Sequence, residues 1–188
     1  MGTILLLVLL AAVIFWGVAA YNGLIALKNQ VENAWKQIDV QLKRRHDLIP
    51  NLVNTVKGAM NFERQTLEAV VEARNKAIAV ESSGAGVRAT AQAEAQLTGA
   101  LGRLLAVVEA YPQLKATGNV AQLQEELTTT ENKIAFARQL YNDVATQYNT
   151  RQKQVPTVFM AGFAGASPVE LWEITEEAER AVPKVELG

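Results

Sequence analysis

Cysteine is absent from the 188 residues, so neither a disulfide nor a thiolate metal site can hold this protein together. Histidine occurs once, at position 46. Charged side chains are missing from the first 27 residues, and the first proline is Pro50. No segment of any weight alternates apolar and polar residues with the period of a strand, and no low-complexity linker marks a second folded domain. These absences leave a chain of helices with one unusual end.

That end is the run Thr3–Tyr21, TILLLVLLAAVIFWGVAAY, 19 residues broken only by Thr, Gly and Tyr. As a helix it spans about 28 Å, close to the hydrocarbon thickness of a bilayer. Trp16 and Tyr21 lie toward its C-terminal end, where amphipathic aromatics favour the membrane interface. A cleaved signal peptide is the rival reading, with Val18 and Ala20 as a small-residue cleavage site. Against it, no Lys or Arg precedes the run, and the run exceeds the usual signal-peptide length. With no Cys after it, a lipoprotein is excluded. Residues 1–22 are therefore expected to be a membrane anchor.

Beyond the anchor, apolar residues keep helical spacing. Leu24, Leu27, Val31, Ala34/Trp35, Ile38 and Leu42 mark one face, in steps of three and four. Anchor and face read as one long helix to about residue 46, with Gly23 as a candidate hinge. Asp47 before Leu48-Ile49-Pro50 reads as an N-cap with proline in the first turn, so a second helix is expected over 48–80. Ser82-Ser83-Gly84-Ala85-Gly86 ends it, and a third helix is expected over 87–110, stopped by Tyr111-Pro112. The fourth, over 119–154, has the cleanest pattern, from Val120, Leu123 and Leu127 to Tyr141, Val144 and Tyr148. That strict alternation is a bundle or coiled-coil seam. Residues 157–188 then read as an apolar loop plus a short acidic amphipathic helix, opened by the capping box Ser167-Pro168-Val169-Glu170. The expected fold class is all-α: an N-terminal transmembrane helix continuing into an elongated antiparallel bundle over 23–156.

Charge is unevenly placed. Residues 28–156 hold 16 Lys and Arg against 13 Asp and Glu, while residues 157–188 hold 2 against 6. A weakly basic body with an acidic tail is far from the footprint of a nucleic-acid binder. Lys43, Arg44, Arg45 and His46 form the densest basic cluster. It could meet an acidic partner, anionic lipid or nucleic acid, but cations near a helix C-terminus also complement the helix dipole. At the expected corner, about 37 Å above the bilayer, the cluster lies beyond electrostatic reach of its own membrane. His46 lacks the Glu-x-x-His context of a bundle metal site, because position 43 is Lys. It reads as a surface or hinge histidine.

Tyr141-Asn142 and Tyr148-Asn149 repeat one heptad apart, placing both phenols on one seam. Asn33, Asn142 and Asn149 are candidates to bond them and fix register. Glu125-Glu126 suits a helix N-terminus, and Glu68 and Glu72 share a helix face. Nothing forces two of these carboxylates apart in pKa, so no acid–base pair, and no catalytic, cofactor-binding or metal residue, is expected. The segment VPTVFMAGFAG holds Phe159, Met160 and Phe163, the apolar residues helical periodicity explains least. They could enter the bilayer interface, plug the end of the bundle, or meet a neighbouring copy.

The stretch YNGLIALKNQVENAWKQIDVQLKRRHDLIPNLVNTVKGAM, with YPQLKATGN, TENKIAFARQLYNDVATQYNT and VPTVFMAGF, resembles the LemA family, whose hallmark is LKRRHDLIPNLV. The resemblance covers nearly all the chain beyond the anchor. It implies a bacterial membrane protein with one N-terminal helix and an antiparallel helical bundle. It brings no enzymatic activity and no cofactor; one relative takes part in forming magnetosome membranes. Arg44, Arg45, His46, Asp47, Leu48, Ile49, Pro50 and Asn51 match the hallmark, with no catalytic role attached.

The function expected is thus a non-enzymatic scaffold, self-associating and organising or remodelling membrane. The alternative is an adaptor or regulator of a membrane enzyme such as a protease. Partners are the lipid bilayer, further copies of the chain and a possible membrane protein, without nucleic acid. Lys28, Lys36, Lys43, Arg44 and Arg45 follow the anchor and no cation precedes it. The positive-inside bias then sets a single pass in the inner membrane, N-terminus out and bundle cytoplasmic. A reporter fused after Gly188 should be active only on the cytoplasmic side; activity on the outer face reverses the orientation.

Overall fold

The computed structural model describes residues 1–57, 64–111 and 118–173. Among them there is no strand, and five helices follow in order: α1 Gly2–Lys57, α2 Arg64–Ser82, α3 Val87–Glu109, α4 Gly118–Arg151 and α5 Val158–Ala161. The all-α class is as expected, with the long apolar N-terminal helix packed on others in a bundle-like arrangement. The turn after Pro112 and the acidic helix beyond Glu173 lie outside the described residues.

α1 differs most from expectation. It runs 56 residues through Gly17, Gly23 and Pro50, so the corner expected between Leu42 and Pro50 does not exist. Proline removes one intrahelical hydrogen bond and crowds the His46 carbonyl, at a cost of about 3 kcal/mol. Against this stands a stripe that keeps its spacing across the proline: Ile38, Leu42, Ile49, Leu52 and Val56 are each fully buried. Burial of each such side chain contributes about 1.5–3 kcal/mol, and a break at Asp47 would throw the stripe out of phase. The sum of burial outweighs the single lost bond.

The chain divides into two compact units. The first joins Met1–Asp47 to Glu125–Leu171, that is, most of α1 against most of α4. Arg45 pairs with Glu131, and the Trp35 and Tyr141 rings meet edge to face with centroids 5.5 Å apart. Met160 Sδ lies 3.6 Å from where a Cβ on Gly17 would be. Partners on α4 and beyond rise in number as those on α1 fall, so the two run antiparallel with a constant register. The seam on α1 is Ala20, Leu24, Val31, Ala34, Ile38 and Leu42. On α4 it is Leu127, Thr130, Ile134, Ala137, Tyr141, Ala145 and Tyr148. Ala145 takes the place expected of Val144, one step round the helix.

The second unit is Leu48–Gln124 with Trp172–Gly188. Its centre is an α2–α3 hairpin turned by Ser83–Gly86, where Gly84 and Gly86 adopt φ of 66° and 90°, a region closed to most side chains. Lys76 Nζ donates to Gln96 Oε1 across the hairpin at 2.9 Å. Leu97, Leu104 and Val108 of α3 and Val70 of α2 are fully buried, as is Val120 at the start of α4.

The continuity of α1 makes Pro50 a liability rather than a helix start. Pro50→Ala should restore the missing bond and raise stability by about 2 kcal/mol, after allowance for a freer unfolded chain. Chemical denaturation of the detergent-solubilised protein measures this; a loss of stability would restore the helix boundary at Asp47.

Candidate functional site

The basic cluster separates into two faces of α1. Lys43 and Arg44 are exposed, whereas Arg45 and His46 are 1% and 3% exposed. His46 is therefore no surface or hinge residue, and the four do not form one cationic patch. Arg45 falls midway between Leu42 and Ile49, at the seam position the spacing reserves for an apolar side chain. Its Nη1 donates to Glu131 Oε1 of α4. The signal for this was in the sequence: steps of three and four from Leu42 to Ile49 must pass through position 45 or 46.

Tyr141 and Asn149, drawn from the two heptad-spaced Tyr-Asn pairs of α4, bind the tail. Tyr141 Oη donates to the Glu170 carbonyl at 2.7 Å. Asn149 Nδ2 donates to the Val169 carbonyl at 2.8 Å, and its Oδ1 accepts from the Val169 N–H at 2.9 Å. Gln152 Nε2 adds a 3.2 Å bond to that same Oδ1. Residues 166–173 are therefore not helical, and the capping box expected at Ser167 is not formed. The Val169 amide, which would have entered a helix, is taken by Asn149. Burial, then the nearby Glu170 carboxylate, raises the Tyr141 pKa above 10.0.

Between α4 and this strap, the chain turns through α5. Met160 faces the apolar N-terminal part of α1 at Gly17, but Phe159 and Phe163 are 66% and 79% exposed. They do not plug the bundle. A second exposed apolar surface lies along the α1–α4 pair, where Val40, Phe136 and Leu140 line a groove of about 490 Å³ flanked by Lys36 and Lys133. The second unit holds a larger open cavity, about 830 Å³, between Val53, Leu67 and Val71, with Lys57, Arg64 and Glu72 at its edge.

The LemA family model matches residues 34–187. The chain belongs to the LemA family. Relatives include "Protein LemA" of Metamycoplasma hominis, 27% identical over 69% of this chain and 58% of that protein. "Magnetosome protein MamQ 2" of Paramagnetospirillum magneticum is 23% identical over 81% of this chain and 64% of its own length. "Magnetosome protein MamQ" of Magnetospirillum gryphiswaldense is 24% identical over 80% and 63%. The LemA-family chain thus spans less than two thirds of the length of these relatives. Its hallmark, Leu42–Val53, lies wholly within α1, and Leu42, Arg45, His46, Ile49, Leu52 and Val53 turn inward. The LemA hallmark is here a packing stripe with an arginine in it.

Two measurements test this geometry. Glu131→Ala deprives a desolvated guanidinium of its carboxylate and should cost about 2 kcal/mol, as charge-assisted hydrogen bonds do. Replacing both partners, Arg45→Met with Glu131→Leu, should leave stability near wild type, because the desolvation penalty goes with the pair. Additive losses in denaturation would exclude the coupling.

Tyr141→Phe should cost about 1 kcal/mol at neutral pH through the lost bond to Glu170. The raised folded-state pKa means that stability is full below pH 10.0 and declines as pH rises through the folded value. The Phe variant should show a shallower alkaline decline than wild type in denaturation midpoints taken from neutral to strongly alkaline pH; an unchanged slope excludes the phenol as its source.

Proposed function

We propose that this LemA-family chain is a non-enzymatic, membrane-anchored helical scaffold that self-associates and organises or remodels the bacterial inner membrane. The observation that carries this reading is the continuity of α1. One helix passes from a bilayer-length apolar segment into a packed seam without a joint. Its large aliphatic side chains from Ile4 to Val18, and Phe15 with them, are 54–78% exposed, a surface that demands lipid rather than water. An anchor of this build serves localisation and force transmission, and its bundle faces supply contacts.

Self-association finds support in the groove between α1 and α4. Val40 and Phe136 are 63% and 73% exposed, and such a patch marks an interaction surface. The likeness to magnetosome proteins supports membrane organisation over a soluble role. The same groove could instead receive a helix of a membrane enzyme, which is the adaptor reading.

The full-length protein purified in mild detergent and sized by light scattering should be a uniform homo-oligomer. Val40→Glu with Phe136→Glu, both at exposed positions, should reduce it to smaller species without loss of helicity. A stoichiometric foreign protein that co-purifies and is released by the same substitutions would favour the adaptor. A monomer with no such companion would overturn both.

A further inference from the structure

We infer that residues 155–164 form a second membrane contact, an interfacial wedge lying in the same leaflet as the C-terminal end of the anchor and ringed by cations. The inference rests on the reading of Thr3–Tyr21 as a membrane span. Its starting point is the packing of Met160 on Gly17. Gly17 is four residues inside the end of that run, which sets α5 about 6 Å below the level of Tyr21. Interfacial apolar segments sit about 5–10 Å into the boundary between headgroups and acyl chains. A segment at that depth meets lipid unless other protein covers it.

The side chains around Met160 match that setting. Phe159, Phe163 and Val155 are 66%, 79% and 77% exposed, and they flank Met160 in the sequence. From Gln154 to Val169 the chain carries no charged side chain. Several backbone N–H groups of the turn are satisfied locally: Val158 N donates to the Gln154 carbonyl, Met160 N to Thr157, Ala164 N to Met160 and Ala166 N to Ala161. This lowers the penalty for placing irregular backbone near hydrocarbon.

Charge returns where headgroups would lie. The antiparallel register that pairs Trp35 with Tyr141 and Gly17 with Met160 brings Arg151 and Lys153 level with α1 residues just past Tyr21. Lys28, on α1, stands about 10 Å above Tyr21. All three are exposed, and the nearest acid on α1, Glu32, lies a turn farther out. Cations at this height attract anionic lipid. The strap then leads Glu170 away from the bilayer, bound through its carbonyl to Tyr141. The occupant of the patch is therefore the bilayer that holds the anchor, with a preference for anionic headgroups.

The cysteine-free chain allows a direct test on the full-length protein. Single cysteines at Val8, Phe136, Phe159 and Phe163 are labelled with an environment-sensitive fluorophore. Each protein is reconstituted into vesicles of phosphatidylcholine, with or without phosphatidylglycerol, that carry lipid quenchers at shallow or deep acyl positions. Labels at 159 and 163 should be quenched by the shallow lipid, the label at 8 by the deep one, and the label at 136 by neither. Phosphatidylglycerol should increase quenching at 163, and Lys28→Gln, Arg151→Gln and Lys153→Gln together should abolish that increase. Quenching at 8 without quenching at 159 and 163 overturns the wedge but spares the anchor, including the case in which a neighbouring copy shields the labels. No quenching at 8 overturns the membrane reading itself. Equal responses to both lipids, or an increase that survives the triple substitution, overturn the cationic ring.

Discussion

The antiparallel register between α1 and α4 is the constraint on which the first unit depends. It brings Trp35 to Tyr141 and Met160 to Gly17, and through them it fixes where the tail strap and the exposed phenylalanines stand. A seam of aliphatic residues alone tolerates sliding by a heptad, since one buried leucine or alanine resembles the next. Arg45 does not. Its guanidinium is almost fully enclosed, and desolvating a cation costs several kcal/mol unless a counter-charge is met in good geometry. Glu131 supplies that charge at one register only. The pair contributes little net stability by this reasoning, yet it makes every slipped alignment expensive, as polar residues at core positions do in coiled coils.

Asn149 plays a comparable part for the tail. Its amide takes both the N–H and the carbonyl of Val169, which mimics the pairing of one strand residue with another. Tyr141 adds a third bond one residue later. These contacts hold residues 166–171 along α4 without regular structure. They also close the loop that begins at Arg151, so that α5 is presented at a defined height along the apolar part of α1.

Much of this was legible in residue spacing, and what escaped did so for physical reasons. The all-helical class follows from apolar steps of three and four, which packing simply obeys. The same steps, followed strictly past Leu42, point to Arg45 as an inward residue; hydrophobicity alone hides it, because the side chain is charged. Pro50 misled for another reason. Its preference for a first helical turn is local and worth a few kcal/mol, whereas the stripe through Ile49, Leu52 and Val56 is a collective term. At Ser167 a capping motif of sound local chemistry lost to Asn149, a residue 20 positions away that no local window includes. The depth of Met160 on Gly17 depends on tertiary register and had no signature in its own segment.

The unbroken α1 has a mechanical consequence. Asp47 stands 26 residues beyond Tyr21 on the same helix and within the first unit, an arm of about 39 Å. On the proposed reading of Thr3–Tyr21 as a membrane span, the helix would tilt by about 20°, the average for such spans. That tilt would carry the end of the arm sideways by roughly 13 Å. A small change of angle at the bilayer would thus become a displacement of many ångströms in the packed seam.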